Sequence, residues 1–119
     1  LLSSGSVEVV AVCGSAPPGV PVDVYAALAT LALRGGARVV LDASGSHLEV
    51  AAATRPWMLK PNRFEAETLL GPLPATQAGL AKRAHELLRG GTEIVAITLG
   101  ALGAVCVTRE GAWGAAAAK

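Results

Sequence analysis

The sequence predicts an α/β fold built on a mostly parallel sheet that ends in antiparallel strands, and three observations carry that prediction. Apolar runs of strand length at Val7–Val12, Arg38–Leu41, Trp57–Leu59 and Ile94–Thr98 are separated by stretches whose apolar residues recur at helical spacing. Glycine and proline punctuate the junctions between these two kinds of segment. Past Thr98 the apolar runs follow one another too closely for a crossover helix to fit between them, which demands antiparallel pairing.

Val7 to Val12 is interrupted by Glu8 alone and bounded by Gly5-Ser6 and Cys13-Gly14-Ser15, the pattern of a buried strand. Gly14 to Gly19 is a rigid loop, because Pro17 and Pro18 remove sheet donors and the glycines permit unusual backbone angles. Val24, Ala27, Leu28 and Leu31 then mark a helix, with Pro21 suited to its first turn and Gly35-Gly36 to its end. Its many alanines predict a mostly small outer face and a helix lying flat on the sheet. Arg38 to Leu41 is the second strand, ending at Asp42-Ala43-Ser44-Gly45, and the strand–helix–strand order is that of a right-handed crossover. Ser46 to Ala53 is a short helix capped by Ser46, with Pro56 beyond its end. Trp57 to Leu59 is the third strand; Lys60-Pro61-Asn62-Arg63-Phe64-Glu65 turns the chain into a helix through Leu70 that Gly71-Pro72 stops. Leu80, Ala84, Leu87 and Leu88 mark another helix closed by Gly90-Gly91, with Lys82, Arg83, Glu86 and Arg89 on its wet side. Ile94–Thr98 is the fourth strand. Ala104 to Val107 is another, Thr108-Arg109-Glu110-Gly111 turns into Ala112-Trp113, and the low-complexity Ala115 to Ala118 is expected to fray.

A chain of 119 residues is enough for one core and not for two. It opens on Leu1 and its single methionine is Met58, so it reads as a fragment, one partial domain over 1–119. Hydrophobic residues at 52% against charged ones at 16% favour a buried sheet over disorder. Ten basic and nine acidic side chains leave no run of like charge to track a nucleic-acid backbone, so nucleic acid is not an expected partner. Asp23, Arg34, Arg38 and Asp42 interrupt the richest apolar region before it reaches the roughly 20 residues of a membrane span. No basic residue precedes the apolar part of Leu1 to Val12, unlike a signal peptide, and the expected setting is cytoplasmic. Cys13 and Cys106 fall at or in strands without metal-ligand spacing, which predicts buried free thiols.

Two stretches carry candidate chemistry. Asn62 and Glu65 have the spacing of a capping box, and the same residues at a helix start suit an anion and a magnesium ion held through water. Lys60 adds a cation beside them. Thr98-Leu99-Gly100-Ala101-Leu102-Gly103-Ala104 places a hydroxyl and two glycines past a strand end, which fits either close approach by a phosphate or ribose or an ordinary glycine turn. No lysine follows as in a P-loop, and the glycines do not form a dinucleotide fingerprint. Asp42, at a strand's carboxyl end, either organises a metal or hydroxyl or caps the turn through Ser44. His47 and His85 read as solvated or partly packed, and Trp57 and Trp113 as core or rim.

Taken in order, Gly14-Ser15-Ala16-Pro17-Pro18-Gly19-Val20-Pro21, Val40-Leu41-Asp42-Ala43-Ser44-Gly45, Lys60-Pro61-Asn62-Arg63-Phe64-Glu65 and Thr98 to Ala104 resemble the PfkB-type sugar kinases of the ribokinase-like fold. The first two segments look most like the branch of 1-phosphofructokinase and tagatose-6-phosphate kinase. The resemblance implies a three-layer αβα fold, and a kinase that moves the γ-phosphoryl group of ATP to a ketose phosphate, fructose 1-phosphate above all. It implies that Asn62 and Glu65 hold Mg2+, that Lys60, Asn62, Thr98, Gly100 and Gly103 lie at the nucleotide phosphates, and that Ser15 and Asp42 are on the active-site side. ATP and Mg2+ are the implied cofactors, a small phosphosugar the implied partner, and a homodimer the implied assembly of the intact enzyme. The pattern departs at Ala16, where a larger apolar residue is usual, and at Leu102, where a polar one is frequent. The family's general base, an aspartate in a downstream G-A-G-D segment, is not in this sequence, nor is the upstream sugar and lid part, so the fragment alone is expected to be inactive. Two rivals remain: a non-catalytic structural or binding module derived from such a kinase, and a nucleotide-binding α/β protein of unrelated family.

Overall fold

Right-handed crossovers decide how a chain of alternating strands and helices is laid out. The computed structural model describes residues 8–116. In it β1 (Val9–Gly14), β2 (Arg38–Ala43), β3 (Met58–Leu59), β4 (Ile94–Thr98), β5 (Ala104–Thr108) and β6 (Gly111–Ala115) form one six-stranded sheet in sequence order. β1 to β4 run parallel, and the β4–β5 and β5–β6 pairs are antiparallel. The connections hold α1 (Val24–Arg34), α2 (Gly45–Ala52), α3 (Arg63–Leu70) and α4 (Gln77–Ala84), the last continuing into a 3-10 turn at His85–Leu88. Every crossover steps the chain one strand onward in the same direction, so right-handed connections bring all these helices to one face of the sheet. The described residues therefore supply the α/β sheet and one helical layer.

Burial follows the two-residue period of the strands. Val39, Leu41 and Ala43 of β2 face the helices and are at most 2% exposed, whereas Arg38, Val40 and Asp42 lie on the other face and are exposed or half-buried. Val95, Ile97, Val105 and Val107 repeat the pattern in β4 and β5. Ala29 and Ala32 of α1, Leu48 and Ala51 of α2, and Leu80 and Ala84 of α4 close the core from the helical side. Alanine at the contact lets α1 approach closely, as its composition predicts, but its outer face is not small: Leu28 and Leu31 are exposed.

The boundaries shift where pairing overrides local punctuation. β1 continues through Cys13 and Gly14 because these pair with Asp42 and Ala43, which extends β2 past Leu41 as well. Val7, and Ala117 and Ala118 of the tail, lie outside the described residues, while Ala115 closes β6. α1 starts at Val24, since Pro21 opens a turn in which the Val24 N–H donates to the Pro21 carbonyl at 3.2 Å. The residue flanking α2 is Ser44 rather than Ser46, and its hydroxyl does not cap the helix.

Both cysteines are free, but Cys13 is exposed and Cys106 half-buried, which corrects the expectation of two buried thiols. The reason is topological: β1 is the sheet's edge, and alternation turns Cys13 to the face without helices. In the native chain Cys13 is expected to react with a thiol-specific disulfide reagent at least roughly tenfold faster than Cys106, as exposure controls access to a thiolate. Peptide mass mapping of the labelled sites checks this, and equal rates would contradict the edge placement of β1.

Candidate functional site

The turn after β3 is tied to both neighbouring strands. The Lys60 N–H donates to the Leu41 carbonyl and the Thr98 N–H to the Pro61 carbonyl, each at 3.0 Å. Pro61 cannot donate the next ladder bond, so the strand stops there. An isolated parallel bridge between Asn62 and Thr98 nevertheless carries the β3–β4 register past the strand's end. Alternation along this common register sets Asp42, Lys60 and Thr98 on one side of the sheet, at the carboxyl ends of three adjacent strands.

Lys60 Nζ lies 3.2 Å from Asp42 Oδ2, and the two side chains are 41% and 42% exposed. Water screens such a pair, which contributes less than about 1 kcal/mol and serves mainly to aim the ammonium group. Asp42 is thus engaged across the strands with Lys60. Ser44 bonds instead to Ser15, hydroxyl to hydroxyl at 3.3 Å, joining the Gly14–Gly19 loop to the start of α2. That loop's other end is held by His47, whose Nε2–H donates to the Pro21 carbonyl at 3.1 Å, with the ring 5.5 Å from that of Tyr25. His47 is therefore an anchor, and His85 is exposed.

At the start of α3 both halves of the capping box form. Asn62 Oδ1 accepts from the Glu65 N–H at 2.8 Å, and Glu65 Oε1 accepts from the Asn62 N–H at 2.9 Å. The cap uses one carboxylate oxygen, and among the described residues Glu65 Oε2 and the N–H groups of Arg63 and Phe64 have no protein partner. Arginines buttress this helix from below. Arg63 Nη2 donates to the carbonyls of Leu73 and Pro74, while Arg83, expected on a wet face, donates to those of Leu70 and Pro72 and pairs with Glu86. No sequence signal announced this clamp, because carbonyl acceptors belong to every residue type.

Past β4 a 3-10 turn at Gly100–Leu102 replaces the simple hairpin turn. The Gly103 N–H donates to the Gly100 carbonyl at 3.1 Å and its own carbonyl accepts from Leu99 at 2.8 Å, so Gly103 is committed to shaping the loop. Gly100 is exposed, with a φ of +57°.

Among the described residues no three His, Cys, Asp or Glu side chains gather to hold a metal by themselves. One free carboxylate oxygen beside helix N–H donors suits a cation that keeps most of its water and takes ligand phosphate oxygens, as magnesium does. A cavity of about 760 Å³ lies elsewhere, between β1 and α1, and none of these candidate residues lines it. No helix among the described residues is long and apolar enough to cross a membrane.

The model of the pfkB family of carbohydrate kinases matches residues 2–119. A 1-phosphofructokinase of Rhodobacter capsulatus is 44% identical over 107 residues, covering 90% of this chain and 34% of that protein. One from Haemophilus influenzae is 37% identical over 105 residues, covering 87% and 33% respectively. The solved structure of phosphofructokinase-2 from Escherichia coli in complex with fructose-6-phosphate superposes with a TM-score of 0.83 at 27% identity, over 96% of this chain and 39% of that one. The chain thus spans about a third of the length of the relatives it matches.

Proposed function

The chain belongs to the pfkB family of carbohydrate kinases, and from that premise we propose that it is the part of an ATP-dependent sugar-phosphate kinase that handles the nucleotide phosphates and their magnesium ion. The observation that carries this reading is the gathering of Asp42, Lys60 and Thr98 on one side at the carboxyl ends of adjacent parallel strands, with the Asn62–Glu65 helix start beside them. Open α/β sheets bind ligands in that crevice.

Each residue has a part in this reading. Lys60, aimed by Asp42, neutralises charge on the phosphate chain. Glu65 keeps Oε1 in the cap and offers Oε2 to metal-bound water, and Asn62 completes that corner. Thr98 and the exposed backbone of Gly100 border the nucleotide, Gly103 keeps their loop in shape, and Ser15 lies on the active-site side. Magnesium, when bound, would offset the charge that builds on the phosphoryl oxygens. The chain's own groups orient and screen, which is most of what phosphoryl transfer asks of a protein. The acceptor is a ketose phosphate hydroxyl, and the relatives named 1-phosphofructokinase favour fructose 1-phosphate, giving fructose 1,6-bisphosphate. In this reading these residues serve the phosphates and the metal ion, and none of them is the proton acceptor.

A second reading has its own observation: Asn62 and Glu65 are both engaged in the cap, as a purely structural helix start requires. Glu65→Gln separates the two, because glutamine also serves at the third position of a capping box but carries no charge. Titration calorimetry is expected to show ATP bound more tightly with magnesium than without. Glu65→Gln should remove that difference, a loss of about tenfold, or about 1.4 kcal/mol, with melting unchanged. Lys60→Met should weaken ATP with or without the metal. Indifference of ATP affinity to magnesium and to both substitutions would leave the structural module standing.

A further inference from the structure

Ala66 is the one fully buried residue of α3, with Leu69 half-buried on the core, while Phe64 is 77% exposed. Apolar packing therefore fixes this helix weakly, although its start carries the Asn62–Glu65 corner. A helix of this length is about 12 Å long, so a pivot of about 5° at its far end displaces its start by about 1 Å. Charged side chains oppose that pivot from both ends. Arg63, the first residue of α3, donates through Nη2 to the carbonyls of Leu73 and Pro74 at 2.9 and 3.2 Å. Its Nε lies 3.3 Å from Glu67 Oε1, one turn along the same helix, which steadies the guanidinium. Arg83 of α4 donates to the carbonyls of Leu70 and Pro72 at 2.6 and 3.2 Å, and Glu86 Oε2 accepts from its Nε at 2.8 Å.

Leu70 ends α3, and the carbonyls of a helix's last turn have no partner within the helix. Arg83 takes up that one. Pro72 and Pro74 each fix a backbone angle between the acceptors, so the segment passes displacement on rather than absorbing it. α4 is firmly seated in turn, because Leu80 and Ala84 lie in the core and the Thr76 hydroxyl caps the helix by accepting from the Gly79 N–H at 3.1 Å. Hydrogen bonds from a guanidinium are charge-assisted, which suits them to hold a helix that packing holds poorly. We propose that Arg63 and Arg83 are positioning residues of the nucleotide site: they tie the two ends of α3 to the Leu70–Pro74 segment and α4, and so keep Glu65 Oε2 where metal-bound water can meet it. Both guanidiniums are engaged by main-chain carbonyls, so they act through Glu65 and not on the ligand. The inference rests on the phosphate-and-magnesium reading above, which it extends to side chains that touch neither group.

The test is titration calorimetry of the 119-residue chain with ATP, with and without magnesium, paired with amide hydrogen exchange at Glu65. Arg83→Met keeps an apolar stem and removes the guanidinium. It is expected to cut the magnesium-dependent gain in ATP affinity at least roughly threefold while metal-free affinity stays within about twofold. Exchange at Glu65, whose N–H the Asn62 side chain holds, should quicken at least roughly tenfold while Val95 and Ile97 of β4 keep their rates. In a Glu65→Gln background Arg83→Met should remove no more of the gain, because both changes act at one point. Arg83→Lys, which keeps the charge and some donors, should restore part of it. Lys82→Met, at the exposed neighbour on α4, should alter nothing. If Arg83→Met does not fold, Arg63→Met cuts the other end of the clamp and decides by the same gain. Equal loss of metal-free and magnesium-dependent affinity, or exchange quickened throughout the sheet, would reduce the arginines to general stabilisers and overturn the proposal. A wild-type chain indifferent to magnesium would overturn the nucleotide reading and this inference with it, whereas a wild-type gain that Arg83→Met leaves whole overturns this inference alone.

Discussion

Leu41→Ala is expected to lower the unfolding free energy by about 2–5 kcal/mol, read as a fall in the urea midpoint. Leu41 lies in β2 with its side chain fully buried, pairs with Val12 and Leu59, and is roofed by α1 and α2. Large-to-small substitutions are worst where neighbours cannot collapse into the hole. The core it belongs to holds many alanines already, among them Ala29, Ala43 and Ala51, with no side chain to swing into a hole. A loss near the upper end of that range is therefore expected. Since whole domains are stable by only about 5–15 kcal/mol, such a loss is a large share of the total. Leu102→Ala, at a position 75% exposed, should change stability by less than about 0.5 kcal/mol. Similar losses from the two leucines would contradict the core described above.

Gly103→Ala is the second large effect. Gly103 has a φ of +100°, and a Cβ there would collide with the carbonyl of Ala115 and crowd Ala116 at the end of β6. Backbone, unlike the tip of a side chain, cannot swing away, so the β5–β6 hairpin has to shift. Strain of about 1–3 kcal/mol from a backbone conformation reserved for glycine adds to about 1–3 kcal/mol from overpacking. Gly100→Ala is the control, because its φ is +57° and a Cβ there meets open space. It should lose only the backbone part. Thermal melts of both variants, with hydrogen exchange across β6, check the order. The Gly103 carbonyl holds the Leu99 N–H at 2.8 Å, so Gly103→Ala should also disturb the loop carrying Thr98 and Gly100. Equal melting points for the two variants would mean that β6 does not lie where Gly103 needs it.

The motifs of the candidate site were legible because they are local. Asn62 and Glu65 sit a helical turn apart, and their capping box depends on little beyond their own backbone. Ile94–Thr98 was legible end to end, since its five residues alternate between faces and are flanked by glycines and turns. What escaped depended on residues far apart in the chain. Asp42 offered a cap or a ligand, and its actual partner Lys60 is identified only by the β2–β3 register. Arg83 looked like a solvated helix charge until the fold brought the carbonyls of Leu70 and Pro72 to it.

By itself the sequence determined the kinds of elements, their order, the parallel-to-antiparallel change after Thr98 and the local capping box of Asn62 and Glu65. Propensity, capping and turn chemistry are short-range, and the lengths of the connections alone forbid a crossover at the end. Only the tertiary structure decided that, among the described residues, successive strands are neighbours, the helices share one face, and Cys13, Leu28 and Leu31 are exposed at the β1 end of the sheet. Which face a side chain meets depends on the order and hand of strand pairing, and those are properties of the whole sheet that no local stretch contains.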